Sequence, residues 1–318
     1  MNIYVDQLYF DVLEQLRTTL PKDNLSNNKA QNLKSIYNLF LALNIHTDIT
    51  RDEVIENYKK GIGDKDYKTI KELILFAAVK SNIVTDVDLA TIKDYNGFYF
   101  TQHNITSLNA SGCGIVMKNE SFDCTNFYEN CKIADLKFKG DINELKEFVP
   151  PTNAMIIVDN YLFEDANKIQ NLIDFLNLYK GQLNDIKFQV SIFSYSDRTA
   201  TVTSAFDQLC IIDENIQIQI TLVTARPQGN DRDRQIYTNY ATLNFGHPFE
   251  NKETHFSQNF LGLENDKNRI KINYSNFKSH LKNCKDKITS TPQYFGPLQT
   301  QKKWESEKFT NRLFEMIN

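Results

Sequence analysis

The sequence predicts an α/β protein, and three patterns support this prediction. Strand-like apolar runs alternate with amphipathic helical segments between residues 154 and 223. Apolar residues recur at helical spacing over much of residues 1–92, and the pair Pro150-Pro151 interrupts the chain between the two regions. We therefore expect a helical N-terminal domain over residues 1–92, a small β-rich insertion or linker over 93–149, and an α/β sheet domain with C-terminal helices over 150–318.

The composition argues against membrane, secreted and metal-binding classes. No apolar run approaches the roughly 20 residues of a membrane-spanning helix, and the N-terminus (MNIYVDQLYFDVLEQL) lacks the basic start and apolar core of a signal peptide. We therefore expect a cytoplasmic protein without a membrane span. The five cysteines form no CxxC pair, which favours free thiols. No metal and no cofactor are expected.

The charge is unevenly distributed along the chain. The formal net charge is −4, yet residues 266–318 carry 11 basic and 5 acidic side chains. A basic segment can bind a polyanion such as nucleic acid, or it can pack against the acidic remainder of the chain. Both interpretations stay open.

Four helices are predicted in the N-terminal region, over residues 4–20, 30–44, 50–60 and 67–81, with Thr50 as a candidate N-cap. The last two helices suggest a helix-turn-helix, but the second offers little beyond three lysines for contacts to DNA. Plain packing of a helix pair is therefore favoured. We expect this domain to contact a protein partner.

The remaining elements follow from local patterns. Short strands are predicted at 97–100, 114–117 and 131–138, with one or two helical turns at 141–148. Beyond Pro151 the order is strand, helix, strand, helix, strand, which implies a parallel sheet with right-handed crossovers. These strands are 154–158, 187–193 and 216–223, the intervening helices are 165–179 and 201–212, and two C-terminal helices are predicted at 268–284 and 304–316.

The stretch from Asn230 to Phe249, NDRDRQIYTNYATLNFGHPF, follows the third of these strands. The element order, together with the residues ArgAspArg-Gln-Ile-Tyr-Thr-Asn at 232–239, resembles the phospholipase D-like domain over residues 152–262. It is most similar to the divergent branch found as the C-terminal domain of MIT-domain proteins and in bacterial proteins. Because active members are bilobed and this chain has one such unit, the resemblance implies a homodimer. It also suggests a component of a bacterial antiviral defence system.

The resemblance implies a phosphate site without the catalytic groups. Active members use His-x-Lys followed by Asp, whereas the matching positions here are Arg232, Arg234 and Asn239. Arginine stays protonated near neutrality and cannot serve as nucleophile or acid. A cationic clamp without a nucleophile would bind phosphate and not cleave it. We therefore predict a non-catalytic binding or scaffolding protein for a phosphate-bearing ligand or nucleic acid, with these three residues in the site.

His247 is the one candidate catalytic residue of this region. It follows the predicted strand 241–245 in a Gly-His-Pro turn, and histidine titrates near physiological pH. A lone histidine in such a turn is more often structural. An active phospholipase D-like nuclease or phosphodiesterase is therefore the alternative function.

A second set of candidate ligand-binding residues follows the strand 187–193. Ser and Thr side chains with main-chain N–H groups can hold an anion against the positive end of the next helix, and an arginine adds charge. Such residues also suit a simple helix cap. A nucleotide bound here would make the protein a nucleotide-sensing regulator. The candidate residues are Ser194, Ser196, Arg198 and Thr199.

Carboxylates provide a metal-dependent nuclease alternative. Asp159 ends the first predicted strand of the sheet domain, in a phrase (VDNYLFED) that resembles the first acidic position of PIN-type nucleases. Such chemistry needs several carboxylates converging on a divalent metal. The conceivable partners are Asp197, Asp213 and Asp233.

Overall fold

The structure is a computed structural model in which the chain divides into two units. One unit comprises Met1–Glu129 with Leu261–Ser275, and the other comprises Asn130–Phe260 with Asn276–Asn318. The structure describes residues 1–11, 28–61, 83–101, 115–117, 134–149, 152–180, 186–195, 199–222, 234–247, 249–250, 252–262, 264, 266–290, 294–295, 300–301 and 303–317. Both units contain helices and a sheet, so the α/β class is confirmed.

The first unit is built on a five-stranded parallel sheet. Its strands are β1 (Asn2–Val5), β2 (Asn44–Thr47), β3 (Ile83–Val84), β4 (Phe98–Phe100) and β5 (Ile115–Met117). They lie in the order β3-β2-β1-β4-β5, and every neighbouring pair is parallel. Buried aromatic and aliphatic side chains of β1 and β4 form its centre, among them Ile3, Val5, Phe98 and Phe100.

The prediction of a helical domain over residues 1–92 is therefore wrong. Three of the five strands fall in that range, and β1 occupies the start of the helix expected at 4–20. Each strand has at most four residues, so its alternation is too short to compete with helical periodicity, and non-local pairing decides its conformation.

Three of the predicted N-terminal helices are found among the described residues. The helix expected at 4–20 is helical over 7–11, and residues 12–27 lie outside the described part. Helix α1 spans Asn28–Ala42 and helix α2 spans Arg51–Gly61. Thr50 caps α2 as expected, because its Oγ1 accepts a hydrogen bond from the N–H of Glu53 at 3.3 Å. The whole of the helix expected at 67–81 lies outside the described residues, and with it the second half of the helix-turn-helix interpretation.

The second unit is built on an eight-stranded mixed sheet. Strands β7 (Ala154–Val158), β8 (Phe188–Ser194) and β9 (Ile216–Leu222) are parallel, and helices α3 (Ala166–Asn177) and α4 (Thr199–Cys210) connect them. This confirms the predicted strand-helix alternation. Antiparallel strands β10 (Arg234–Thr238), β11 (Ala241–Phe245), β12 (Thr254–Phe260) and β6 (Ala134–Phe138) extend the sheet beyond β7.

The boundary between the units does not lie at Pro150-Pro151. The predicted linker over 93–149 is divided, because β4 and β5 join the first sheet whereas β6 pairs with β12 in the second. The division falls between Glu129 and Asn130. Local sequence does not reveal this division, since strand pairing is set by partners far along the chain. A 3₁₀ helix, Ile142–Phe148, occupies the predicted helical turns.

The C-terminal part contains one of the two predicted helices. Helix α5 spans Lys267–Ser290, which confirms the helix expected at 268–284. Strands β13 (Tyr294–Phe295) and β14 (Thr300–Gln301) form a separate antiparallel pair. The helix predicted at 304–316 is wrong, because β15 (Lys303–Glu305) pairs with β9 as an edge strand of the sheet and a 3₁₀ helix follows at Arg312–Ile317. No helix in the described part of the chain is long and apolar enough to cross a membrane.

Candidate functional site

Most of the predicted site residues that the structure describes lie together at one edge of the eight-stranded sheet, namely the edge at which its parallel strands end. The parallel strands β7 and β8 end there at Val158 and Ser194. Antiparallel β10 begins there at Arg234, and β11 ends there opposite it, because Arg234 pairs with Phe245. Ligands of open α/β sheets commonly bind outside the carboxyl ends of the parallel strands. This edge is therefore the candidate site.

Arg234 is the buried centre of the site, and its side chain is only 7% exposed. Its Nε donates to Oδ1 of Asp159 at 3.2 Å, and its Nη1 donates to the carbonyl of Gly246 at 2.8 Å. Its Nη2 donates to Oε1 of Glu250 at 3.0 Å. The guanidinium also lies 5.3 Å from the ring centroid of Tyr161. Hydrogen bonds and one aromatic ring therefore fix the guanidinium of Arg234 on several sides.

Three cationic side chains surround the carboxylate of Glu250. Besides Arg234, the Nζ of Lys168 lies 3.0 Å from Oε1 and the Nζ of Lys252 lies 2.8 Å from Oε2. Burial raises the pKa of Glu250, but hydrogen bonds from Lys252 and Lys168 and the charge of Arg234 lower it by more. The pKa of Glu250 therefore lies well below its usual range, and the side chain is a carboxylate. We call Asp159, Lys168, Arg234, His247, Glu250 and Lys252 the Arg234 cluster.

Asp159 is held at the end of β7 by its own turn. Its main-chain N–H donates to the carbonyl of Phe193 on β8 at 3.0 Å, and its Oδ1 accepts from the N–H of Tyr161 at 2.8 Å. Burial raises the pKa of Asp159, and Arg234, the Tyr161 N–H and Lys168 oppose that rise. Arg234 is therefore the main group that opposes the rise in the pKa of Asp159.

His247 joins the cluster through its Nδ1. This atom lies 2.6 Å from Nη1 of Arg234 and 3.2 Å from Oε2 of Glu250. An arginine N–H can only donate and a carboxylate can only accept, so Nδ1 binds Arg234 when it carries no proton and Glu250 when it carries one. About half of the side chain, 46%, is exposed. His247 therefore presents its ring beside Arg234 and Glu250 at this edge.

A polar groove of about 540 Å³ adjoins the cluster. Its walls are the start of α3 with the residues just before it and the segment Phe249, Glu250 and Lys252. Phe249 is buried, and its carbonyl accepts a hydrogen bond from Nδ2 of Asn171 on α3 at 2.9 Å. Glu250 thus belongs both to the groove wall and to the Arg234 cluster.

The second predicted set lies partly at the same edge. Ser194 ends β8 beside Asp159, but its side chain is buried and its Oγ donates to the carbonyl of Tyr195 at 3.4 Å. Thr199 begins α4. The remaining candidates of this edge, Ser196, Arg198 and Arg232, lie outside the described residues.

Asn239 lies at the opposite end of β10 from Arg234. It is fully buried, and its Oδ1 accepts from the hydroxyl of Thr152 at 2.7 Å and from the N–H groups of Asn153 and Ala154 at 2.9 and 3.0 Å. Its Nδ2 donates to Oδ1 of Asn153 at 3.1 Å. The structure therefore does not bring Asn239 together with Arg234, and its contacts fasten the segment that leads into β7.

The carboxylates predicted for a metal centre do not converge among the described residues. Asp159 pairs with Arg234, and Asp213 precedes β9, so it lies at the other edge of the sheet. Asp197 and Asp233 lie outside the described residues. Among the described residues, no group of three or more His, Cys, Asp and Glu side chains could hold a metal ion.

Sequence reasoning missed Lys168, Glu250 and Lys252. A signal existed for Lys168, because it occupies a position of α3 in line with the buried Leu172 and Phe175, where a lysine needs a partner. Glu250 and Lys252 follow the turn after β11 and have no periodic signal. Neither a scan against protein-family models nor a search of curated proteins returns a match for this chain.

Proposed function

We propose that the second unit is a non-catalytic binding module that holds a phosphate-bearing ligand at this edge of its sheet. The observation that carries the proposal is the convergence of Arg234, Lys168, Lys252 and His247 on one position beside the groove. A buried ion pair is weak evidence for stability, because apolar side chains of similar size often do as well. Strongly perturbed ionisable groups in a cleft are instead typical of functional sites.

The arginine at the centre of the site supports binding over catalysis. In the tautomer in which Nδ1 of His247 accepts from Arg234, the Nε2–H can donate to a phosphoryl oxygen. Arg234 cannot act as nucleophile or acid because it stays protonated.

Calorimetric titration of the full chain with inorganic phosphate, pyrophosphate and ATP tests this function. We expect binding that weakens by about tenfold in the double variant H247A/K252A, since one hydrogen bond and one exposed charge are lost. K187A is the matched control, because Lys187 is also an exposed, ion-paired lysine but precedes β8 at the opposite edge.

The outcomes separate the alternatives. Absence of binding to all three probes contradicts the proposed function. Cleavage of DNA or RNA that disappears in H247A would instead support the phosphodiesterase alternative, and cleavage that requires Mg²⁺ or Mn²⁺ would support the metal-dependent one. Binding confined to ATP would favour a nucleotide sensor.

A stripe of lysines on α5 favours nucleic acid as a second candidate ligand. Lys278, Lys282 and Lys285 lie in the part of the helix that belongs to the second unit and recur at intervals of four and three residues, which places them on one side of the helix. Lys282 is exposed, and the other two side chains are half-buried. Such a stripe can follow a phosphate backbone.

The salt dependence of binding tests this candidate. Fluorescence anisotropy with a labelled oligonucleotide should give a slope of log K against log salt that falls by about three in K278A/K282A/K285A, at about one per lost phosphate contact. The control K137A/K146A/K187A makes the same charge change on the second unit's other surfaces. Equal slopes in both triple variants contradict a contact through α5.

Dimerisation, a partner of the N-terminal region and a role in antiviral defence belong to the same proposal. They follow from the resemblance and from the division of the chain into two units, and they stay predictions.

A further inference from the structure

The carboxylate of Glu250 fills the position on which the cations of the site converge. We propose that this position is a phosphoryl-binding site, and that a ligand enters it by displacing the Glu250 side chain, which closes the site when no ligand is present. This inference rests on the proposed function and specifies how the ligand is bound and regulated.

The first support is the arrangement of donors around Glu250. Arg234 and Lys168 both lie 3.0 Å from Oε1, and Lys252 lies 2.8 Å from Oε2. Three cations thus meet one carboxylate with a single negative charge. A phosphoryl group has three terminal oxygens and about two negative charges, so it can serve the same donors more fully.

The second support is the charge that remains when Glu250 moves away. Asp159 lies 3.2 Å from Nε of Arg234, and Glu164 lies 3.5 Å from Nζ of Lys168. With Glu250 in place the three cations face three carboxylates, and without it they face two. Neither remaining carboxylate contacts the Nη2 of Arg234 that faces Glu250. The position between Nη2, Lys168 and Lys252 therefore attracts another anion once Glu250 has been displaced.

The third support is that displacement needs only a side-chain movement. Phe249 is 1% exposed, its ring packs edge-on against Phe175 at 5.9 Å, and its carbonyl is bound by Asn171. The backbone before Glu250 is thereby fixed. The Glu250 side chain lines the groove, so rotation about its side-chain bonds carries the carboxylate into that space.

The variant E250Q tests the inference, because glutamine keeps the size and one acceptor oxygen but removes the competing charge. We expect E250Q to bind inorganic pyrophosphate about tenfold more tightly than the wild-type chain in calorimetric titration. E164Q is the matched control, since it also removes one carboxylate beside Lys168 but leaves Glu250 in place, and we expect its affinity to change by less than about threefold.

The comparison separates this inference from the proposed function. Equal or weaker pyrophosphate binding by E250Q overturns the inference, whether or not the wild-type chain binds. Tight binding by E250Q with none by the wild-type chain supports the inference and contradicts the proposed function of the unmodified protein. An equal gain in E164Q also overturns the inference, because general charge removal would then explain it.

A destabilised variant still gives an answer. If E250Q is partly unfolded, its thermal unfolding is followed as pyrophosphate is added, because a ligand that binds the native state stabilises it by mass action. A rise in the unfolding temperature larger than in the wild-type chain supports the site. An unchanged unfolding temperature overturns it. E250D, which keeps the charge but withdraws it by one methylene, should show an intermediate gain in affinity.

Discussion

Replacing Arg234 with methionine is expected to lower the free energy of unfolding by ~3–5 kcal/mol at neutral pH. Methionine fills much of the volume but leaves Asp159, whose side chain is 2% exposed, as a buried charge without its cationic partner. Glu250 loses one of its three cationic neighbours as well. Urea unfolding followed by circular dichroism measures the change.

This loss should depend on pH in a defined direction. Burial already raises the pKa of Asp159, and removing Arg234 removes the largest opposing influence. A carboxyl group whose folded pKa exceeds its unfolded value stabilises the fold at low pH, and that contribution disappears as the pH rises through the folded pKa. The deficit of R234M relative to the wild-type chain is therefore expected to shrink as the pH is lowered.

The double variant D159N/R234M provides the control. When Asp159 is replaced by asparagine, R234M should lower the free energy of unfolding much less than it does alone. The difference is the coupling energy of a double-mutant cycle. A deficit that is independent of pH and fully additive would contradict the assignment of Asp159 as the charge that Arg234 neutralises.

Asn239→Ala is expected to cost ~2–4 kcal/mol of unfolding free energy without changing ligand affinity. The substitution removes the acceptor shared by the Thr152 hydroxyl and two main-chain N–H groups in a fully buried site. Thermal and urea unfolding measure the stability, and titration of the folded fraction with pyrophosphate measures the affinity.

N244A is the matched control for this variant. Asn244 lies on the neighbouring strand β11, is half-buried, and makes one long side-chain hydrogen bond to Ser257 at 3.5 Å. We expect it to cost less than ~1 kcal/mol. If N239A instead kept its stability and lost ligand affinity, Asn239 would belong to the binding site, as the resemblance implies.

The sequence was most informative where strands are buried on both faces and alternate with amphipathic helices. The continuous apolar run Ala154–Val158 and the strictly alternating run beginning at Ile216 each predicted a strand within a residue or two of its bounds. In the first unit, strands as short as Ile83–Val84 are too short to show a periodic pattern. Pairing with the neighbouring parallel strands determines their conformation.

The site was predictable only in part, for a related reason. The order of strands and turns predicted that Arg234, Ser194 and His247 lie at the same edge of the sheet. The partners of Arg234 did not, because Asp159 lies 75 positions away in the chain and Glu250 follows an irregular turn. The motif grouped Asn239 with Arg234. The two residues stand at opposite ends of the extended strand β10, however, and are therefore far apart.

The discontinuous course of the chain limits how the protein can be dissected. Residues 261–275 return to the first unit after most of the second has been completed, so neither unit is a single continuous segment. A fragment that starts at the proline pair would also lack β6 and would leave β12 as an open edge available for intermolecular pairing. A fragment that contains the second unit should therefore begin near Asn130, before β6, and it also carries residues 261–275 of the first unit.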